Sequence, residues 1–186
     1  MARQKVCWDP WKKITINPLR SERCKQTMII WNLKVFSQNV CKNSLITNTI
    51  LEIHSHFNIL LIQEPSWSKI QKILSFSNCD GKTLTDTSHY PNWIAFARHP
   101  SNNSNFPRVI SYVNIRLNSL HFLLCRDLFD HCDINIISFT NNNICYYILN
   151  IYSDSSHSAL KYLKDTEINI NRVLLMMGDF NIRDSL

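Results

Sequence analysis

The chain of 186 residues contains only two glycines, Gly81 and Gly178. A phosphate-cradling loop of the dinucleotide-binding or P-loop kind needs several glycines close together, so both are excluded. Long apolar runs are also lacking; strictly apolar runs such as Ile59 to Ile62 and Val173 to Met177 reach only four or five residues. A membrane-spanning helix needs about 20 apolar residues, so no span is expected. No apolar stretch follows Arg3 and Lys5, so a secretory signal is not expected either, and the chain reads as nuclear or cytoplasmic. No two cysteines stand in a C-x-x-C pair, which removes the usual zinc spacings.

Seven cysteines are present, an odd number at wide spacing. Reduced thiols are the expectation. His121, Cys125, His131 and Cys132 lie close in sequence, but incidental core cysteines in a strand-rich stretch are the preferred reading over a metal cluster. The apolar fraction is 45% and the charged fraction 18%, which suits a packed core rather than disorder.

The net charge of +6 is unevenly placed. Residues 1–27 hold seven basic and two acidic residues, whereas residues 28–186 hold thirteen and twelve. The expected organisation is a loosely ordered basic arm over 1–27 and one domain over 28–186. The arm's charge, with Trp8 and Trp11, suits salt-dependent contact with nucleic acid.

Within the domain, alternation over Leu33 to Asn39 predicts a strand. Asn43 or Ser44 offers a helix cap, and Ile46, Ile50, Ile53 and Phe57 form an apolar face up to Asn58. Ile59 to Gln63 is apolar on both faces, as in a doubly buried strand. Residues 66–91 are polar and turn-rich. Trp93 to Arg98 and Val109 to Leu117 predict strands around a Ser/Asn/Pro loop. Ile134 to Phe139 and Ile144 to Tyr152 predict a hairpin through Asn141, Asn142 and Asn143. Ser156 could cap a helix through Leu160, Leu163 and Glu167, and Arg172 to Met177 reads as another buried strand. The layout is mixed α/β with largely antiparallel sheets.

Four polar clusters each end an apolar strand: Asn39, Gln63-Glu64, Asn150 with Tyr152, and Asp179 with Asn181. Rigid strand ends can aim such groups at one rim. Glu64 and Asp179 offer the oxygen ligands that magnesium prefers. Asn39 and Asn181 offer amides that orient water or bind phosphate oxygen. The Tyr152 hydroxyl can stabilise charge building on phosphorus. Together they suit metal-assisted phosphoester hydrolysis.

The ordered blocks Asn39-Val40, Gln63-Glu64-Pro65, Asn150-Ile151-Tyr152 and Gly178-Asp179-Phe180-Asn181 resemble those of the endonuclease/exonuclease/phosphatase superfamily. The closest flavour is the endonuclease domain of fungal non-LTR retrotransposons. The resemblance spans roughly residues 30–186. It implies a DNase I-like four-layer α/β sandwich with two mixed, mainly antiparallel sheets. It places Glu64 and Asn39 at a Mg2+ site, which Mn2+ could also fill, with Glu64 as direct ligand. It gives catalytic places to Tyr152 at the phosphate, Asp179 at the attacking water, Asn181 and Asn150. The implied substrate is duplex DNA cut to a 3′-hydroxyl and a 5′-phosphate, with a reverse transcriptase of the same element as partner.

Two departures qualify the resemblance. Asp154 stands where many relatives carry proline. The family's closing Ser-Asp-His block is not found before Leu186, so a fold lacking its final strands, and weak or absent activity, are expected. The alternatives are a non-catalytic retroelement remnant and a phosphatase of the same superfamily.

Overall fold

A computed structural model describes residues 14–15, 33–67, 71–74, 83–86, 90–97, 106–125, 128, 131–141, 143–166 and 172–181. Most of the basic arm and of the Ser/Asn/Pro loop around 100–107 lies outside the described residues. The strands are β1 (Ile14–Thr15), β2 (Lys34–Asn39), β3 (Ile59–Gln63), β4 (Gln71–Leu74), β5 (Thr83–Asp86), β6 (Trp93–Phe96), β7 (Val109–Asn114), β8 (Leu123–Leu124), β9 (Ile134–Asn141), β10 (Ile144–Tyr152) and β11 (Val173–Asp179). Helices α1 (Ser44–Ile53) and α2 (Ser158–Asp165) and a 3-10 turn over Ile115–Leu120 complete the set. Among the described residues no helix is long and apolar enough to cross a membrane.

One sheet has the order β1-β2-β3-β7-β6 and the other β11-β10-β9-β8, with β4 and β5 paired separately. Strict alternation builds the layers. On β3, Ile59 and Leu61 face Ile137, Phe139 and Ile148 of the second sheet. Leu60 and Ile62 face the opposite way, onto Ile50, Leu51 and Phe57 around α1. On β10, Leu149 and Ile151 meet Ala159 of α2. The result is four layers, α1, sheet, sheet, α2, with β3 buried on both faces as its sequence predicts.

The pairing is mostly antiparallel, but β2 with β3 and β10 with β11 are parallel. Parallel neighbours end at the same side, so Asn39 pairs with Gln63 in register and Tyr152 with Asp179. This is why the four polar clusters reach one rim. The hairpin of β9 and β10 forms as predicted, with Asn143 in the left-handed region at φ 63°.

Several expected details are corrected. Asn43 caps α1 by accepting from the Leu45 and Ile46 amides, but the buried residues are Thr47, Ile50 and Leu51. Ile53 is 63% exposed and Ile46 lies on the open flank. The Trp93 indole donates to the Leu51 carbonyl at 2.9 Å, turning that side of the helix inward. The helix also ends at Ile53, so Phe57 packs from the following turn. Strand β7 stops at Asn114, whose side chain caps the 3-10 turn. Ser156 does not cap α2; its N–H and hydroxyl donate to Asp154 Oδ1, and His157 takes the cap position at φ 54°. Strand β11 is half-exposed rather than buried, because among the described residues it is the outer strand of its sheet.

Candidate active site

Asn39, from the end of β2, is the centre of the rim. Its Nδ2 donates to Glu64 Oε2 at 3.1 Å and to Asp179 Oδ2 at 2.7 Å. Its Oδ1 accepts from the Cys41 amide at 2.8 Å, which fixes the side chain. The Asp179 carboxylate is held on its other oxygen by the Asn181 amide at 3.0 Å. Two carboxylates from different sheets therefore share one amide donor, a costly arrangement unless hydrogen bonds or a cation offset their repulsion.

The backbone at this point is unusual. Glu64 and Asn181 both have positive φ, 48° and 45°. For glutamate the left-handed region is rare, and such strain persists where the surroundings over-determine it. The ties are visible: the Glu64 N–H donates to the Arg108 carbonyl at 2.7 Å, and the Glu64 carbonyl accepts from the Lys42 N–H at 2.7 Å.

Gly178 precedes Asp179, and its place is set by close approach. A side-chain carbon there would overlap the Ile151 carbonyl oxygen and lie 2.7 Å from its carbon. This close approach of β10 and β11 is what requires the glycine.

Tyr152 completes the group. Its hydroxyl titrates above the usual phenol range, first because of burial and then because of the Glu64 charge; Arg108 pulls the other way, and a hydrogen bond to Glu64 and the Asp179 charge raise it further. It thus stays a proton donor at neutral pH.

Asn181 and Asn150 are placed differently from the open rim. Asn181 Nδ2 donates to the Ser153 carbonyl at 2.7 Å, tying the loop after β10 to the end of β11. Asn150 is fully buried between the sheets. Its Oδ1 accepts from Gln63 Nε2 at 2.6 Å, and its Nδ2 donates to the Ile62 and Ile110 carbonyls at 3.2 and 2.9 Å. Gln63 donates in turn to Ser37 Oγ at 3.1 Å. Asn150 therefore braces the frame that carries Glu64.

Two functional neighbours escape sequence reasoning. Arg108 lies with its guanidinium carbon 4.6 Å from the Tyr152 ring centre. It forms a two-point ion pair with Asp133, with Nε–Oδ1 at 2.6 Å and Nη2 on Oδ2, and Nη2 also meets Asp154 at 3.0 Å. Hydrogen bonding to Asp133 is the main reason its proton is held even more tightly than usual. The unexpected Asp154 thus has a role as an arginine partner. A lone arginine before a strand and an aspartate before another give no local signal of meeting.

Of the suspected cysteine-histidine cluster, His131 and Cys132 do lie together with Asp133, their ligand atoms within 4.8 Å. His131 Nδ1 already accepts from the Asp133 N–H at 3.2 Å, and the Asp133 carboxylate is committed to Arg108. Cys125 and Cys132 are half-buried and lie outside the strands, so they are not the core cysteines expected from the sequence.

No family model and no curated protein matches the sequence. Among solved structures, the chain is similar to one described as the endonuclease domain of TRAS1, a telomere-specific non-LTR retrotransposon. The TM-score is 0.50 at 18% identity, over 81% of this chain and 59% of that one. The chain therefore spans less than two thirds of that structure's length. The likeness establishes the fold as the DNase I-like α/β sandwich expected from the sequence blocks.

Proposed function

We propose that this domain is a metal-dependent DNA endonuclease of retrotransposon origin, which nicks a duplex target and leaves a 3′-hydroxyl and a 5′-phosphate. The observation that carries the reading is the shared contact of Glu64 and Asp179 with the Asn39 amide nitrogen. The likeness to a retrotransposon endonuclease domain supports the choice of DNA as substrate.

The carboxylate oxygens of Glu64 and Asp179 at the rim suit Mg2+ and also Mn2+, while Asn39 turns its Nδ2 toward them and its Oδ1 to the Cys41 N–H. Glu64 would hold the ion directly, with Asn39 beside it. When bound, such a cation polarises a phosphate oxygen and offsets charge in the transition state. Asp179, held on both oxygens, is oriented to take up the proton of an attacking water. Tyr152, protonated at neutral pH, donates to the phosphate oxygen where charge builds. Asn181 keeps the loop after Tyr152 against Asp179. The 3′-hydroxyl would prime a reverse transcriptase of the same element.

Nicking of supercoiled plasmid tests the proposal. Wild type should nick weakly with Mg2+ and not without it, and Glu64→Ala should not nick in either condition. Equal background in all four conditions would overturn it.

A further inference from the structure

Arg108 directly precedes β7 of the first sheet, and Asp133 directly precedes β9 of the second. Their ion pair therefore bridges the sheets at the rim. The Asp133 side chain is only 1% exposed while that of Arg108 is 31% exposed. A carboxylate so buried holds its partner firmly, because leaving it unpaired is costly. The main chains of the same two residues carry the site. The Arg108 carbonyl accepts the Glu64 N–H at 2.7 Å, and the Asp133 carbonyl accepts the Tyr152 N–H at 2.9 Å. The Arg108 N–H donates to the Cys132 carbonyl at 3.1 Å, closing the bridge. Asp154, two residues beyond Tyr152, adds a second carboxylate, and the guanidinium covers the Tyr152 ring.

We infer that Arg108, clamped by Asp133 and Asp154, is a positioning residue that fixes the Tyr152 ring and hydroxyl relative to Glu64. One side chain thus touches the tyrosine from its ring face and from its own loop, while its backbone holds the glutamate. Its kinetic consequences rest on the nuclease reading above; its structural consequences do not.

The test uses the full chain with Arg108→Met, Arg108→Lys and the double variant Arg108→Met with Asp133→Leu, which leaves no buried carboxylate unpaired. Amide hydrogen exchange and Mg2+-dependent nicking are read together. In the double variant the Glu64 and Tyr152 amides should exchange faster than in wild type while those of central β3 hold. Its kcat should fall on the order of 100-fold, the scale of a misplaced reacting group, with KM for DNA little changed. Arg108→Lys keeps the charge but loses the fork, so it should recover part of the rate. Unchanged exchange and kcat in a folded double variant would overturn the inference. So would a rise in KM alone, which would make Arg108 a DNA contact. If wild type itself does not cleave DNA, the nuclease reading fails, and the exchange comparison alone decides the clamp.

Discussion

The Asn39 side-chain nitrogen donates to Asp179 Oδ2 at 2.7 Å although the two residues are 140 apart in sequence. The same nitrogen reaches Glu64, so one amide joins the ends of both sheets. Parallel pairing of β2 with β3 and of β10 with β11 makes this possible, because each pair delivers its C-terminal ends to the same rim.

Asn150 is expected to act through the frame. Replacing it with alanine strips partners from Gln63 Nε2 and from the Ile62 and Ile110 carbonyls. Gln63 Nε2 keeps Ser37 Oγ and the Leu61 carbonyl as acceptors, and each hydrogen bond lost contributes about 0.5–1.5 kcal/mol. Asn150→Ala should therefore lower stability in urea unfolding by several such increments and slow cleavage with it. Full stability with abolished cleavage would assign Asn150 to the substrate instead.

Gly178→Ala should lose both stability and activity. The added carbon meets the Ile151 backbone, which has no flexible end to move aside. Overpacking of this kind costs about 1–3 kcal/mol or more. Thermal melting of the variant checks this, and an unchanged midpoint would show that β11 can shift away from β10.

Acid should loosen the clamp. Hydrogen bonds from Ser156 and then from Arg108 hold the Asp154 carboxyl well below the usual carboxylate range. A depressed carboxyl stabilises the fold above its unfolded-state titration range, and that contribution is lost as the pH falls through the folded-state range. Urea midpoints from about pH 5 to about pH 3 should therefore fall more steeply in wild type than in Asp154→Asn. Parallel slopes would remove Asp154 from the ion-pair network.

Much of this was legible in the sequence because it is local. The Ile59 to Gln63 run suggested a doubly buried strand, and Asn43 sits directly before the helix that it caps. That Asn39, Glu64, Tyr152 and Asp179 each follow an apolar strand was likewise local; that these ends share one rim follows from the parallel pairing of β2 with β3 and of β10 with β11. The features that stayed hidden depend on tertiary partners. Trp93 bonded to Leu51 decides which side of α1 is buried, so Ile46 and Ile53 misled. Strand β11 has a buried strand's composition but an outer position among the described residues. Arg108 and Asp133 meet only because two sheets stack, and Asn150 looked catalytic because its burial against Gln63 is a contact across 87 residues.

The most direct measurement is single-turnover cleavage of a duplex oligonucleotide in Mg2+ by wild type and by Asp179→Asn, with the product ends identified. Wild type should give 3′-hydroxyl and 5′-phosphate ends. Asp179→Asn keeps the shape of the carboxylate but not its basicity, and should be slower by on the order of 100- to 10,000-fold. Equal rates for the two proteins, or 3′-phosphate ends, would contradict hydrolysis at the Asn39, Glu64 and Asp179 rim.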